Sequence, residues 1–289
     1  MNPNLKKYMI MNNDTDRKVT APLHHREGQG GGSEISPKAE ISPKAKIGDN
    51  CKIFPFVYIE DDVEIGDGCI IFPFVSICSG TRMGKRNKVH QGSVIGALPQ
   101  DFEFCGERSE CIIGDGNIIR ENVVINRATH TGGQTVIGNE NVLMEGAHIS
   151  HDTKVGDRCV FGYGTKIAGD CEIEDNVIFS SSVIENAKTR VGRGSMVQAG
   201  TTFSRDIPPY IVATNKNTYG GVNFAIGRQH GVDEKVLKHI ANAYRLVFNG
   251  GTSLFDAVNQ IIDQVPDGPE IRHIVEFLRA TQIGIISKM

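Results

Sequence analysis

Residues 47–77 read IGDNCKIFPFVYIEDDVEIGDGCIIFPFVSI, and every sixth residue is isoleucine: Ile47, Ile53, Ile59, Ile65, Ile71 and Ile77. Backward, the series continues through Ile41 to Ile35; forward, it runs through Met83 and Val89 to Ile95. It resumes at Ile113, Ile119 and Ile125, and again from Ile137 through Leu143, Ile149, Val155, Phe161, Ile167 and Ile173 to Phe179. Glu185 breaks the pattern before Val191, Val197 and Phe203 complete it. Both interruptions, 95 to 113 and 125 to 137, are multiples of six, so the register survives them. A period of six is neither helical nor simply alternating, and it marks a repeat.

Two residues before each aliphatic position lies a small slot, as in Ala39, Ala45, Cys51, Val57, Val63, Cys69, Val75 and Thr81. After it come turn formers, as in Gly48-Asp49-Asn50 and Gly66-Asp67-Gly68. Glycine and asparagine tolerate positive φ, so a corner can follow each short strand. Three sides close one triangular coil, and stacked coils pair in parallel with the aliphatic slot inward. The expected class is an all-β solenoid, a parallel β-helix, with an α-helical appendage. It spans residues 34–206, after a disordered leader over 1–33 that has no apolar period and ends in GQGGGS.

Ile207-Pro208-Pro209-Tyr210 should end the solenoid, since two prolines cannot donate to another ladder. A connecting segment over 207–231 leads to a helical domain over 232–289. There Val236, Leu237, Ile240, Tyr244 and Val247 share one helix face. Gly250-Gly251 stops that helix, Thr252 or Ser253 caps the next, and a third runs through Ile274, Phe277 and Leu278. This small bundle should cover one end of the solenoid.

A net charge of −3 lacks the basic footprint of a nucleic-acid binder. No apolar run approaches a membrane span, and the N-terminus lacks the apolar core of a signal peptide, so a cytoplasmic protein is expected. The seven cysteines include no CxxC pair, and five of them, Cys51, Cys69, Cys111, Cys159 and Cys171, fall in the small inward slot. They read as buried structural thiols, not as a disulfide framework or zinc site.

Two segments leave the repeat, Gly96–Ile112 and Asn126–Val136. Solenoids accept insertions at corners, and such loops build binding faces. Directly after the second loop comes MEGAHISHD, with His148, His151 and Asp152. Two histidines three apart on a strand and corner chelate no metal, and no third ligand is evident. His151 with an adjacent carboxylate suits a general base. The residues alone leave that reading and a solvated histidine pair both open.

From Ile35 onward the chain resembles the UDP-N-acetylglucosamine acyltransferases of lipid A synthesis, within the hexapeptide-repeat acyltransferases. The resemblance rests on an ordered set of motifs: IGALPQDFEF, IIRENVVINRAT, NVLMEGAHISHD, KIAGD, DIPPYIVA, YGGVN and NAYRLVFNGG. It implies a left-handed coil and a homotrimer with each site between two subunits. The implied reaction moves a hydroxyacyl group from acyl carrier protein to the 3-hydroxyl of the UDP-sugar. The donor is the carrier's phosphopantetheine thioester, and no cofactor or metal is implied. Matching positions make His151 the general base, Asp152 its neighbour and His148 a substrate contact. Gln100 and Asp101 would reach over sugar and acyl chain. Gly169 would supply an oxyanion N–H, Gly221 and Asn223 would meet the nucleotide sugar, and Ala199 would act as the acyl-chain ruler.

The chain departs from the family pattern at Asn126, Asp170 and Gln229, and at Glu185-Asn186-Ala187-Lys188. A lone carboxylate inside the coil is costly. The expectation is therefore that the coil shifts at Glu185, or that Ile184 takes its slot. The altered positions also keep open O- or N-acylation of another nucleotide sugar, or a silent paralogue that only binds.

Overall fold

The computed structural model describes residues 24–26 and 32–288 of the chain. The leader expected over 1–33 lies mostly outside them; within it, His24–Arg26 pairs antiparallel with Ser33–Ile35. From Ser33 onward the chain visits three sheets in turn, here A, B and C, and returns to each one coil later. Among the described residues these sheets hold twelve, nine and eight strands, and the solenoid pairings are parallel. Ile35 stacks on Ile53, Ile53 on Ile71 and Ile71 on Val89 in sheet A. The stacks continue across both insertions, with Ile95 paired to Ile125 and Met83 to Ile113.

The sixfold residues from Ile53 onward are buried, and each fully buried side chain of this size stabilises by roughly 2 kcal/mol. The small slot has a second function beyond filling space. Its polar members reach the corner carbonyl fifteen residues on: Cys51 to Gly66, Cys69 to Gly84, Asn141 to Gly156, Thr153 to Ala168, Cys159 to Glu174, Thr165 to Ser180 and Cys171 to Asn186. These carbonyls fall at corners, and a buried carbonyl without a partner is costly. The five slot cysteines are buried as expected, and four of them also lend a weak thiol donor to a turn.

At the corners the positive φ falls on the third residue, as at Asn50, Arg86 and Asp152. The glycine that opens many corners has another cause. A Cβ on Gly48 would lie 2.7 Å from the backbone nitrogen of Asp67, so stacked corners approach too closely for a side chain.

Two expectations are corrected here. Glu185 keeps the inward slot at 1% exposure, paired between Ile167 and Phe203, while Ile184 points out. The ladder resists a shift because a one-residue slip would turn every neighbouring side chain over. Nor do the prolines end the pairing. Pro208 and Pro209 occupy a corner where no ladder N–H is needed, and Ile211–Thr214 then adds in parallel to Met196–Val197. It turns back antiparallel through Thr218–Val222.

Helix α1 (Phe224–Gln229) follows, capped by the Asn223 side chain. Helices α2 (Glu234–Asn249), α3 (Leu254–Gln264) and α4 (Pro269–Ala280) make the bundle. Ser253 caps α3. The bundle docks on the last coils: the Tyr244 hydroxyl donates to Pro209 O at 2.6 Å, His273 Nε2 lies 2.7 Å from Glu174, and Arg190 stacks on the Phe277 ring. No described helix is long and apolar enough to cross a membrane.

Candidate active site

Both insertions leave the solenoid at the corner between sheets B and C, where the His151 corner also lies. The loop after Val94–Ala97 and the loop after Val124–Asn126 meet through Arg127, which stacks on Phe104. Together with the corners at 150–152, 168–170 and 186–188 they enclose a cleft of about 560 Å³. Asp101, Thr129, His151, Asp152, Gly169 and Lys188 are among its walls.

His151 is 8% exposed. Its Nδ1 lies 2.9 Å from Asp152 Oδ2 and 2.9 Å from Thr129 Oγ1. Carboxylates face both ring nitrogens, and the 2.9 Å contact to Asp152 is the hydrogen bond, so in the neutral ring Nδ1 carries the proton and Nε2 keeps its lone pair. Asp152 is held in turn: its Oδ2 accepts the Thr129 N–H, and its own N–H donates to Thr135 Oγ1. Burial alone would raise the Asp152 pKa, but the His151 and Thr129 hydrogen bonds outweigh it and hold the carboxyl below its ordinary value. Nε2 lies 3.4 Å from Asp101 Oδ2, whose other oxygen accepts the Glu103 N–H and orders the loop.

Gly169 closes the other side of the imidazole. A Cβ there would lie 2.5 Å from His151 Cε1, so only glycine admits the ring. The Gly169 N–H has no hydrogen-bond partner among the described residues. At several other corners the N–H in the same place is capped by a side chain, as Asp49 N is by Asp67 and Asp157 N by Asp175.

His148 sits one strand back, with Nε2 2.7 Å from Asn126 Oδ1. The Asn126 amide nitrogen donates to Leu98 O, which fixes the amide orientation and leaves its oxygen facing the imidazole. His148 therefore carries its proton on Nε2. Burial first, then Lys166 and His151, lowers its pKa and keeps it neutral. Asn126 is thus a built-in partner of His148 that also ties down the first loop.

The structure brings Asp101, His151, Asp152 and Gly169 together, with His148 behind them. It does not bring the remaining candidates to the same cleft. Gln100 is exposed beside Asp101, and Ala199 is exposed on the corner between sheets A and B. Gly221, with φ of 124°, lies in the terminal hairpin. Asn223 is 6% exposed, with its amide nitrogen given to Gly194 O and its oxygen to α1. A second groove of about 750 Å³ lies beneath α1 along sheet A, lined by Arg86, Ile118, Arg158, Val160, Gln229 and His230. Thr129 was not singled out from the sequence; its signals were membership of the second loop and its place at the end of IIRENVVINRAT.

The pieces suit acyl transfer: a base with a free lone pair, a carboxylate that orients it, and an uncommitted N–H beside it. Comparisons agree. Residues 44–71 and 134–169 match the bacterial transferase hexapeptide model, and residues 206–286 match the second domain of UDP-N-acetylglucosamine O-acyltransferase. A solved UDP-N-acetylglucosamine acyltransferase from Bacteroides fragilis is 46% identical, covering 87% of this chain and 99% of its own, with a TM-score of 0.85. Those from Campylobacter jejuni and Arabidopsis are 25% and 26% identical. They cover 89% and 87% of this chain and 100% and 99% of their own, with TM-scores of 0.83 and 0.76. With its repeat, its cleft and these matches, the chain belongs to the UDP-N-acetylglucosamine O-acyltransferase family.

Proposed function

We propose that the protein transfers a hydroxyacyl group from acyl carrier protein to the 3-hydroxyl of UDP-N-acetylglucosamine, in lipid A synthesis. The observation that carries this reading is His151: its Nδ1 is held by Asp152 and Thr129 while Nε2 faces the cleft beside Gly169. The sugar hydroxyl gives its proton to Nε2 as its oxygen attacks the thioester carbonyl. Charge on that carbonyl oxygen is met by the Gly169 N–H. The imidazolium, stabilised by Asp152, returns the proton to the departing phosphopantetheine thiolate. Asp101 orients the sugar at Nε2, and His148, held neutral with its proton on Nε2, positions the substrate.

The working unit is a homotrimer of left-handed coils, with each cleft completed by a neighbour. Support comes from the two half-sites on separate edges of one chain: the His151 cleft, and the groove under α1. Gln100, Gly221 and Ala199 then act across the boundary, and Asn223 acts by placing α1. The test is an assay of the purified protein with hydroxyacyl carrier proteins against a panel of UDP-sugars. Turnover with UDP-N-acetylglucosamine is expected. Turnover only with another sugar would move the reading to that substrate, a result to which Asp170 and Lys188 in the cleft lend a motive. No turnover on any sugar would leave a binding protein.

A further inference from the structure

The N–H of Gly169 can serve an oxyanion only if its peptide plane is held, and Gly169 itself has no side chain to hold it. The plane is that of the Ala168–Gly169 bond, which is trans like the rest of the described chain. In a trans peptide the carbonyl and the N–H point in opposite directions. The Ala168 carbonyl points into the solenoid, where it accepts a 3.0 Å hydrogen bond from Thr153 Oγ1. Thr153 is fully buried and follows directly on His151-Asp152. Its Oγ1 also lies 3.4 Å from His151 O, the weaker of its two acceptors, and accepts the Cys171 N–H at 3.4 Å.

We infer that Thr153 is a positioning residue: from inside the solenoid it anchors the Ala168 carbonyl and thereby aims the Gly169 N–H into the cleft. The inference rests on the oxyanion reading of Gly169 given above. Bonds of this spacing recur at other corners, so the same contact elsewhere supplies a control. Thr165, also fully buried, donates to Ser180 O at 3.1 Å, on the corner between sheets A and B and away from the His151 cleft. Both threonines make the same bond to a corner carbonyl, and Thr153 also accepts the Cys171 N–H. Only Thr153 has a reacting group on the far side of its peptide.

The experiment compares Thr153→Val with Thr165→Val, reading kcat, KM for the UDP-sugar and melting temperature. Both should melt lower, Thr153→Val somewhat further because the Cys171 N–H also loses its acceptor, and kcat, not melting, carries the comparison. Thr153→Val should lose roughly 10–100-fold in kcat, less than or equal to the loss on removing an oxyanion donor outright, with KM nearly unchanged. Thr165→Val should keep kcat. Thr153→Ser restores the hydroxyl and should restore kcat. Where valine prevents folding, the paired alanine variants are read the same way. An unchanged kcat in the Thr153 variant, or an equal fall in both, overturns the inference.

Replacing Gly169 by glycolic acid separates this result from a failure of the underlying reading, because the backbone ester lacks the N–H. If the ester keeps full kcat, Gly169 is not the oxyanion donor, and Thr153 has nothing to aim. If the ester slows the enzyme but Thr153→Val does not, Gly169 acts and Thr153 is only structural.

Discussion

Thr189 Oγ1 lies 2.8 Å from both Glu185 Oε1 and Asn186 O inside the solenoid, spanning the corner that carries Ala187 and Lys188 to the cleft. The second Glu185 oxygen is buried without a partner among the described residues. Burial dominates its titration and pushes the carboxyl up to about 8, with Asp206 adding to the rise and the Thr189 and Cys171 contacts opposing it. Glu185 is thus a neutral acid at pH 7, which is how a carboxyl can replace an aliphatic residue in the stack without an ionic cost.

That arrangement makes stability fall as pH rises. Below about 4.5 both folded and unfolded chains hold the proton, and the carboxyl adds no ionisation penalty. Between there and about 8 the unfolded chain ionises while the folded one does not, so stability is lost across that window and is constant above it. The full loss is at most about 5 kcal/mol, from 1.36 kcal/mol per pKa unit. Glu185→Gln keeps a hydrogen-bonding partner for Thr189 and cannot ionise. Its melting temperature should come closest to the parent's near pH 4, below the unfolded value, and exceed it near pH 8.5. An equal difference at both pH values would show that Glu185 does not titrate on unfolding.

Asn126 joins His148 to the first loop through its two hydrogen bonds. Asn126→Ala leaves the Leu98 carbonyl and the His148 N–H without their partner, at a cost of roughly 1–3 kcal/mol. With the loop base released, KM for the sugar should rise several-fold while kcat falls less. Steady-state kinetics decide it; a fall confined to kcat would place His148 in the chemical step instead.

The repeat was legible because one side chain in six has no choice but to face inward, and the register of Ile95 with Ile125 follows from counting alone. The corner loops were legible as breaks in that count. Glu185 was misread because its cost was assigned to a charge, whereas protonation removes the charge. The proline corner was misread because a missing N–H matters only where a ladder would use it. Thr129 and Thr153 were illegible for a different reason. Each reaches a group far along the chain, Thr129 through its hydroxyl and backbone N–H and Thr153 through its hydroxyl, and nothing in the residue type marks either one.

The proposed trimer, with each cleft completed by a neighbour, has a direct test. Light scattering at micromolar concentration should return three chain masses. A monomer with full activity would mean that the cleft around His151 is sufficient alone, and that the groove under α1 has no part in the reaction.

Ala199 lies two residues after the inward Val197 and is exposed on its corner. If the acyl tail passes there, Ala199→Met should shorten the preferred chain by several methylenes, since each buried methylene contributes about 0.8 kcal/mol. The readout is relative kcat/KM over carrier-protein donors of graded length. An unchanged profile would show that the tail runs elsewhere.

The remaining prediction concerns the base itself. A sugar hydroxyl is too weak an acid to attack a thioester unless its proton leaves as the bond forms, and Nε2 of His151 is the lone pair placed for it. Positioned base catalysis contributes about 10²–10⁴-fold, so His151→Ala should lower kcat by that factor with little change in UDP-sugar affinity or melting temperature. Asp152→Asn should also lower kcat, because the amide can present its nitrogen to Nδ1 and favour the tautomer whose Nε2 carries the proton. Gly169→Ala should resemble the histidine variant from the opposite side, since its methyl would take space the imidazole occupies. Isothermal titration with the UDP-sugar separates binding from chemistry in all three. If His151→Ala turns over at near the parental rate, the proton is taken elsewhere, and the contacts of Asp152 and Thr129 with its Nδ1 serve only to hold a wall of the cleft.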